Sequence, residues 1–169
     1  MRTEERDAAY TEFVRARRTH LRRIAYATCG DWHRADDLVQ TALVKLYLAW
    51  PRVRREGAEE AYARTIIMRS HIDESRRPWR REQPGLGGAD PTARDPMPVE
   101  ERSALFEALQ RLPPMQRKAV LLRHWLGLSV AETAAELRIS EGTVKSHTSR
   151  GIAALQATLE PETVTPQQS

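Results

Sequence analysis

The chain has 169 residues, enough for one domain or two small ones, with 27 Lys and Arg against 23 Asp and Glu and a pI near 9.6. A single cysteine, Cys29, excludes an internal disulfide, and no apolar run is long enough for a signal peptide or a membrane span, which points to the cytoplasm and to no membrane partner. The net charge of +4 sits in residues 1–77, where 16 basic side chains face 12 acidic ones, and the remainder balances, so a polyanionic partner is expected.

The apolar spacing predicts an all-α protein of two small helical domains, residues 1–77 and 99–160, with a linker at 78–98 and a tail at 161–169. The first helix is expected from about Asp7 to Thr28, with Tyr10, Phe13, Val14, Leu21, Ile24 and Ala25 inward. The second is expected from about Trp32 to Ala49, with Ala35, Leu38, Val39, Ala42, Leu43, Leu46 and Tyr47 following the helical period, and Pro51 as its stop. A basic loop should follow, carrying Arg52, Arg54 and Arg55 ahead of Gly57. The third helix, about Glu59 to Arg77, turns Tyr62, Ala63, Ile66, Ile67 and Ile72 inward and ends at Pro78. From Pro78 to Pro98 the chain is rich in Gly and Pro and poor in large apolar residues, a composition that builds no core.

Four helices are expected next, at about Val99–Arg111, Pro114–Leu126, Ser129–Leu137 and Glu141–Leu159. Pro114 suits a first helical position and Gly127 a helix stop. The last two read as a helix-turn-helix, which sets one short helix in the DNA major groove. Ser129 and Glu132 form a Ser-x-x-Glu capping box, and Val130, Ala134 and Leu137 share one face. Ile139 fills the turn, Ser140 caps the second helix, Val144 points to the core, and small Ala134 lets the two axes approach. Outward on the second helix stand Glu141, Thr143, Lys145, Ser146, His147 and Arg150, the donors, acceptors and cations that read base edges and phosphates.

Nothing in the pattern supports catalysis, a cofactor or a metal. Asp36-Asp37 with Gln40 lacks the Glu-x-x-His pairs of a carboxylate metal bundle, and Cys29 with His33 makes two ligands at most, with Gly30 between them. Phosphate loops, nucleotide fingerprints and nucleophile elbows are missing.

Four stretches in order resemble a known family. Asp36 to Leu43 resembles sigma region 2.2, and Tyr62 to Arg77, with Asp73 and the Arg76-Arg77 pair, resembles regions 2.3 and 2.4. Leu109 to Arg117 resembles the start of region 4, and the helix-turn-helix resembles region 4.2. The chain is thereby similar to the extracytoplasmic-function (ECF) sigma factors, in particular the actinobacterial SigE-like group, over about residues 8–159. The resemblance implies core RNA polymerase as a partner, through the β′ clamp helices and the β flap, with promoter DNA and an anti-sigma factor as further partners. It implies that Asp37, Gln40 and Thr41 dock on polymerase. Taken alone, these three fit the wet face of an amphipathic helix better than a docking site. It implies that Arg52, Arg54, Arg55, Tyr62, Arg64, Arg69, Arg76 and Arg77 melt and read the −10 element. Tyr62 is either core or a stacking platform, and Asp73 braces neighbouring arginines rather than touching DNA. It implies that Glu141, Thr143, Lys145, Ser146, His147 and Arg150 engage the −35 element, with His147 either a contact or a packing residue. Departures from the family are Arg69 for Asn, Tyr62 for Trp, His147-Thr148 for Arg-Leu, Gly151 within the last helix, and Arg138 where a helix-turn-helix turn often has Gly.

Two binding proteins compete with this reading. A LuxR-type regulator fits Thr143–His147 equally well, but needs an α/β receiver that the helical period of residues 1–77 argues against. The other is a non-DNA adaptor that binds a partner through its helices.

Overall fold

The computed structural model describes residues 2–75 and 104–160, all of whose regular structure is helical. The expected linker at 78–98, the tail at 161–169, the pair Arg76-Arg77 and the side chains of Ile72 and Asp73 lie outside the described residues. The chain divides into two compact units.

In the N-terminal unit α1 spans Thr3–Cys29, starting four residues earlier than expected. Glu4 and Glu5 lie in its first turn, where carboxylates oppose the helix dipole, and the Glu5 carboxylate accepts the Arg2 N–H at 3.4 Å. Gly30 ends the helix in a left-handed conformation at φ 74°, its N–H donating to the Tyr26 carbonyl at 2.7 Å. That break separates Cys29 from His33. The Asp31 carboxylate then accepts the N–H groups of His33 and Arg34 at 2.8 and 3.3 Å and starts α2.

The α2 helix runs Trp32–Arg55, which corrects the expectation that Pro51 stops it. An internal proline costs about 3 kcal/mol. Trp50 and Val53, on either side of it, are buried to 0% and 1% exposure. Each stabilises the continued helix by roughly 1.5–3 kcal/mol, enough to offset the proline. Arg52, Arg54 and Arg55 therefore lie on the last turn of α2 rather than in a loop, where cations favour the helix C-terminus.

The α3 helix spans Glu59–Ser75. The three helices pack pairwise around Leu21, Ile24, Leu38, Val39, Leu46, Trp50, Ala63, Ile67 and Met68. Ala63 and Ile67 are inward as expected, Tyr62 and Ile66 are only half-buried, and Met68 joins the core unanticipated. Tyr10 and Phe13 meet the edge of Trp50 at 5.4 and 5.7 Å, and the Tyr10 hydroxyl donates to the Leu43 carbonyl at 2.8 Å. Burial, with the Tyr47 phenol nearby, raises the Tyr10 phenol above its usual 10.0.

The C-terminal unit comprises α4 (Ala104–Arg111), α5 (Pro114–Val120), α6 (Val130–Leu137) and α7 (Glu141–Leu159). The expected α-helix from Pro114 to Leu126 is corrected at its end: Leu121–Trp125 wind as a π turn, with the Leu126 N–H on the Leu121 carbonyl at 2.9 Å. Gly127, at φ 70°, then turns the chain so that the Leu128 N–H reaches the Leu122 carbonyl at 2.9 Å. Arg117 through Leu122 are all buried, so α5 and its continuation form the centre of this unit. The Arg117 guanidinium caps the end of α4, donating to the carbonyls of Leu109, Gln110 and Leu112 at 2.9, 3.1 and 3.0 Å. Where α5 and α7 cross, a Cβ on Gly151 would lie 2.6 Å from Val120 Cγ2, so no larger residue fits without displacement.

The helix-turn-helix is built largely as expected. Ser129 Oγ accepts the Glu132 N–H at 3.0 Å, and Ser140 Oγ accepts the Thr143 N–H at 3.1 Å. Val144 is fully buried and Ala134 nearly so. At the turn Arg138 adopts φ 57°, and the Ile139 N–H reaches back to the Ala134 carbonyl at 3.1 Å, a Schellman closure usually made with glycine. A left-handed residue with a Cβ costs roughly 1–2 kcal/mol. Arg138→Gly is therefore expected to raise stability by about 1 kcal/mol, read as an upward shift of the urea midpoint at unchanged slope. A downward shift would mean that the Arg138 side chain contributes more than its backbone costs.

Candidate nucleic-acid interface

On α2 of the N-terminal unit, Asp37, Gln40 and Thr41 are exposed and, with Val44 and Lys45, line one shallow hollow. Val44 is 55% and Leu48 74% exposed, two large apolar side chains left to solvent on the same helix. Positions 37, 41, 44 and 48 recur at helical spacing, so they form one stripe. Sequence reasoning picked the polar members and missed Val44 and Leu48; the signal available was apolar residues falling off the core period of α2.

The expected −10 residues are spread over the end of α2 and along α3, and among the described residues one arginine, Arg52, lies beside Tyr62. The Arg52 guanidinium lies 5.9 Å from the Tyr62 ring, and Arg54 lies 5.5 Å from the Trp50 ring. Arg54 also approaches Glu59 at 3.5 Å, and Arg55 Nε donates to the Pro51 carbonyl at 3.2 Å. Tyr62 and Arg69 are seven residues apart on α3 and share a stripe, whereas Arg64 lies about 200° round the helix from Tyr62.

In the C-terminal unit α7 splits its expected readers. Glu141, Lys145 and Arg150 are exposed, while Thr143, Ser146 and His147 are half-buried. The Thr143 hydroxyl is 2.7 Å from Ser140 Oγ and so serves the cap first. His147 Nδ1 is buried with no hydrogen-bond partner among the described residues, which favours packing for that edge of the ring. Lys145 and Arg150 project about 140° apart and address different sides of the helix. Ser149, one turn beyond Lys145 and exposed, was missed; it shares a groove with Lys145, Arg123, His124 and Gln156. Its short side chain carries no sequence signal without the helix register. Arg123 at this groove also donates to the Leu128 carbonyl and steadies the loop before the helix-turn-helix.

Among the described residues no three His, Cys, Asp or Glu side chains come together to hold a metal, and no helix is long and apolar enough to cross a membrane. Asp36, weighed above as a ligand, pairs with Arg22 at 2.7 Å.

Residues 13–81 match the Sigma-70 region 2 family and residues 102–155 the Sigma-70, region 4 family. The RNA polymerase sigma-E factor of Streptomyces avermitilis is 36% identical over 152 residues, which cover 89% of this chain and 85% of that one. The chain belongs to the ECF sigma factors. The ECF RNA polymerase sigma factor SigM of Mycobacterium tuberculosis is 32% identical over 147 residues, covering 87% of this chain and 75% of its own. The sigma factor RpoE of Bartonella quintana, solved with the anti-sigma factor NepR, shares the fold at a TM-score of 0.69 and 24% identity, over 91% of this chain and 98% of that one. The protein is accordingly an alternative sigma factor of the actinobacterial type. The LuxR-type reading falls, because the described residues of the N-terminal unit form three helices and no strand, where a receiver needs strands.

Proposed function

We propose that this sigma factor binds core RNA polymerase in the cytoplasm and directs it to promoters, without catalytic chemistry of its own. Residues 1–77 form the polymerase-docking and −10 domain and residues 99–160 the −35 domain, joined through 78–98. The α2 stripe of Asp37, Gln40, Thr41, Val44 and Leu48 docks on the β′ clamp helices. Arg52, Arg54, Arg55, Tyr62, Arg64, Arg69, Arg76 and Arg77 serve the −10 element. Cations hold the backbone, and the half-buried Tyr62 ring with Arg52 beside it offers a face for an unstacked base. Glu141, Lys145, Ser146 and Arg150, with Ser149 added, address the −35 duplex, and Thr143 and His147 support them from the flank. The C-terminal unit contacts the β flap, and an anti-sigma factor is a further partner, as with the Bartonella relative.

The observation that carries this reading is the α2 stripe, on which two exposed apolar side chains, Val44 and Leu48, stand one turn apart beside Asp37 and Thr41. The test is reconstituted transcription. Core enzyme plus the protein should initiate at defined start sites. Lys145→Ala should lower output from promoters with an intact −35 element by roughly 5–100-fold, the worth of one base contact, while core binding stays unchanged. Tight DNA binding by the free protein with no association to core would sink the assignment.

A further inference from the structure

Residues 13–29 of α1 carry five arginines and one histidine and no acidic side chain. Several of these cations have partners in the fold. Arg17 and His20 meet Glu60 at 3.4 and 3.2 Å, and Arg22 meets Asp36 at 2.7 Å while its guanidinium lies 4.2 Å over the Trp32 ring. Trp32 in turn stacks on Tyr26 at 4.1 Å. Arg15 and Arg18 are different: both are exposed, and neither forms an ion pair among the described residues. With Arg22 they stand at i, i+3 and i+7, one row about 10 Å long on the outer face of the helix. Glu12, one turn earlier, is the nearest carboxylate on the same helix and pairs with neither.

Among the described residues Arg15 and Arg18 have no carboxylate paired to them, unlike Arg22 at the end of the row. Like charges at i+3 and i+4 repel. The helix dipole favours cations only in the last turn, and Arg15 and Arg18 lie 14 and 11 residues before Cys29. We propose that Arg15 and Arg18, steadied by the Arg22–Asp36 pair beside them, bind the phosphate backbone of promoter DNA, outside the −10 and −35 readers. This rests on the reading of the protein as a promoter-binding factor. DNA fits better than an acidic protein because none of the exposed large apolar side chains, Val44, Leu48, Leu105, Trp125 and Leu159, lies on α1. A protein partner needs such an anchor at the centre of its interface, and a phosphate row does not. The α1 and α3 helices pack together in one unit, so the row belongs to the same rigid body as the −10 cations of α3.

The test uses holoenzyme, reconstituted from core polymerase and the full chain, on labelled promoter DNA across a potassium chloride series. Arg15→Gln/Arg18→Gln should flatten the plot of log K against log salt by about 1–2 units, near 0.9 per phosphate released. Affinity at low salt should drop about 5–10-fold, equally for every −10 and −35 sequence, and Arg15→Lys/Arg18→Lys should restore the slope. Binding to core without DNA should not change. An unaltered slope overturns the proposal. So does weaker binding to core in the absence of DNA, which would place the row against polymerase. Failure of unmodified holoenzyme to bind promoters would instead overturn the broader functional reading, and equal thermal melting of the double variant and the parent excludes misfolding as the cause.

Discussion

Replacing Arg117 by Leu should destabilise the C-terminal unit by about 3–5 kcal/mol. Its side chain is 8% exposed and donates to three carbonyls at the end of α4. A hydrogen bond from a charged donor contributes roughly 1.5–3 kcal/mol, and the three are not additive because they share one guanidinium. Leu fills part of the volume but leaves the Gln110 and Leu112 carbonyls without that donor. A helical unit of this size has only about 3–8 kcal/mol of stability in all, so the loss is comparable to the whole. Arg117→Lys should fall between, since an ammonium keeps the charge but not the fork that spans three acceptors. Urea titration followed by the indole resonance of Trp125, with Trp50 reporting the N-terminal unit, measures the effect. A loss below about 1 kcal/mol would mean that water replaces the guanidinium without penalty.

The second large effect concerns polymerase. Val44→Asp/Leu48→Asp should leave the fold intact, because both side chains are more than half exposed. It should weaken binding to core enzyme by about 100-fold or more. Burying one such side chain contributes about 1.5–3 kcal/mol, each 1.4 kcal/mol is tenfold in affinity, and a carboxylate at an interface centre adds a desolvation cost. The measurement is a titration of labelled core polymerase with parent and variant. Equal affinities would remove the α2 stripe from the polymerase interface and leave Asp37, Gln40 and Thr41 as ordinary solvated residues.

Much of the candidate site is legible in the sequence. The helix-turn-helix could be read because its signals are local: Ser129 and Ser140 cap within three residues, and Val144 is placed by the helical period alone. The α7 bounds, Glu141–Leu159, agree with expectation for the same reason. What local patterning could not rank was the outward set. Thr143 and Lys145 look alike as polar residues on one helix, yet the first is tied to the Ser140 cap and the second is free in a groove. Ser149 became visible only once the register of α7 against its unit was known, whereas Leu48 was already marked by falling off the core period of α2.

By itself the sequence determined the helical class, the order of the helices and the family, because each follows from period, caps and ordered motifs. Tertiary structure alone decided the rest. It carried α2 through Pro51, since the burial of Trp50 and Val53 outweighs a local penalty. It gave Gly151 a reason, as the only residue small enough beside Val120, and made Arg117 a cap for a helix it does not belong to. Each of these depends on what a second segment brings to the same point in space, and a propensity read along one segment carries no record of that.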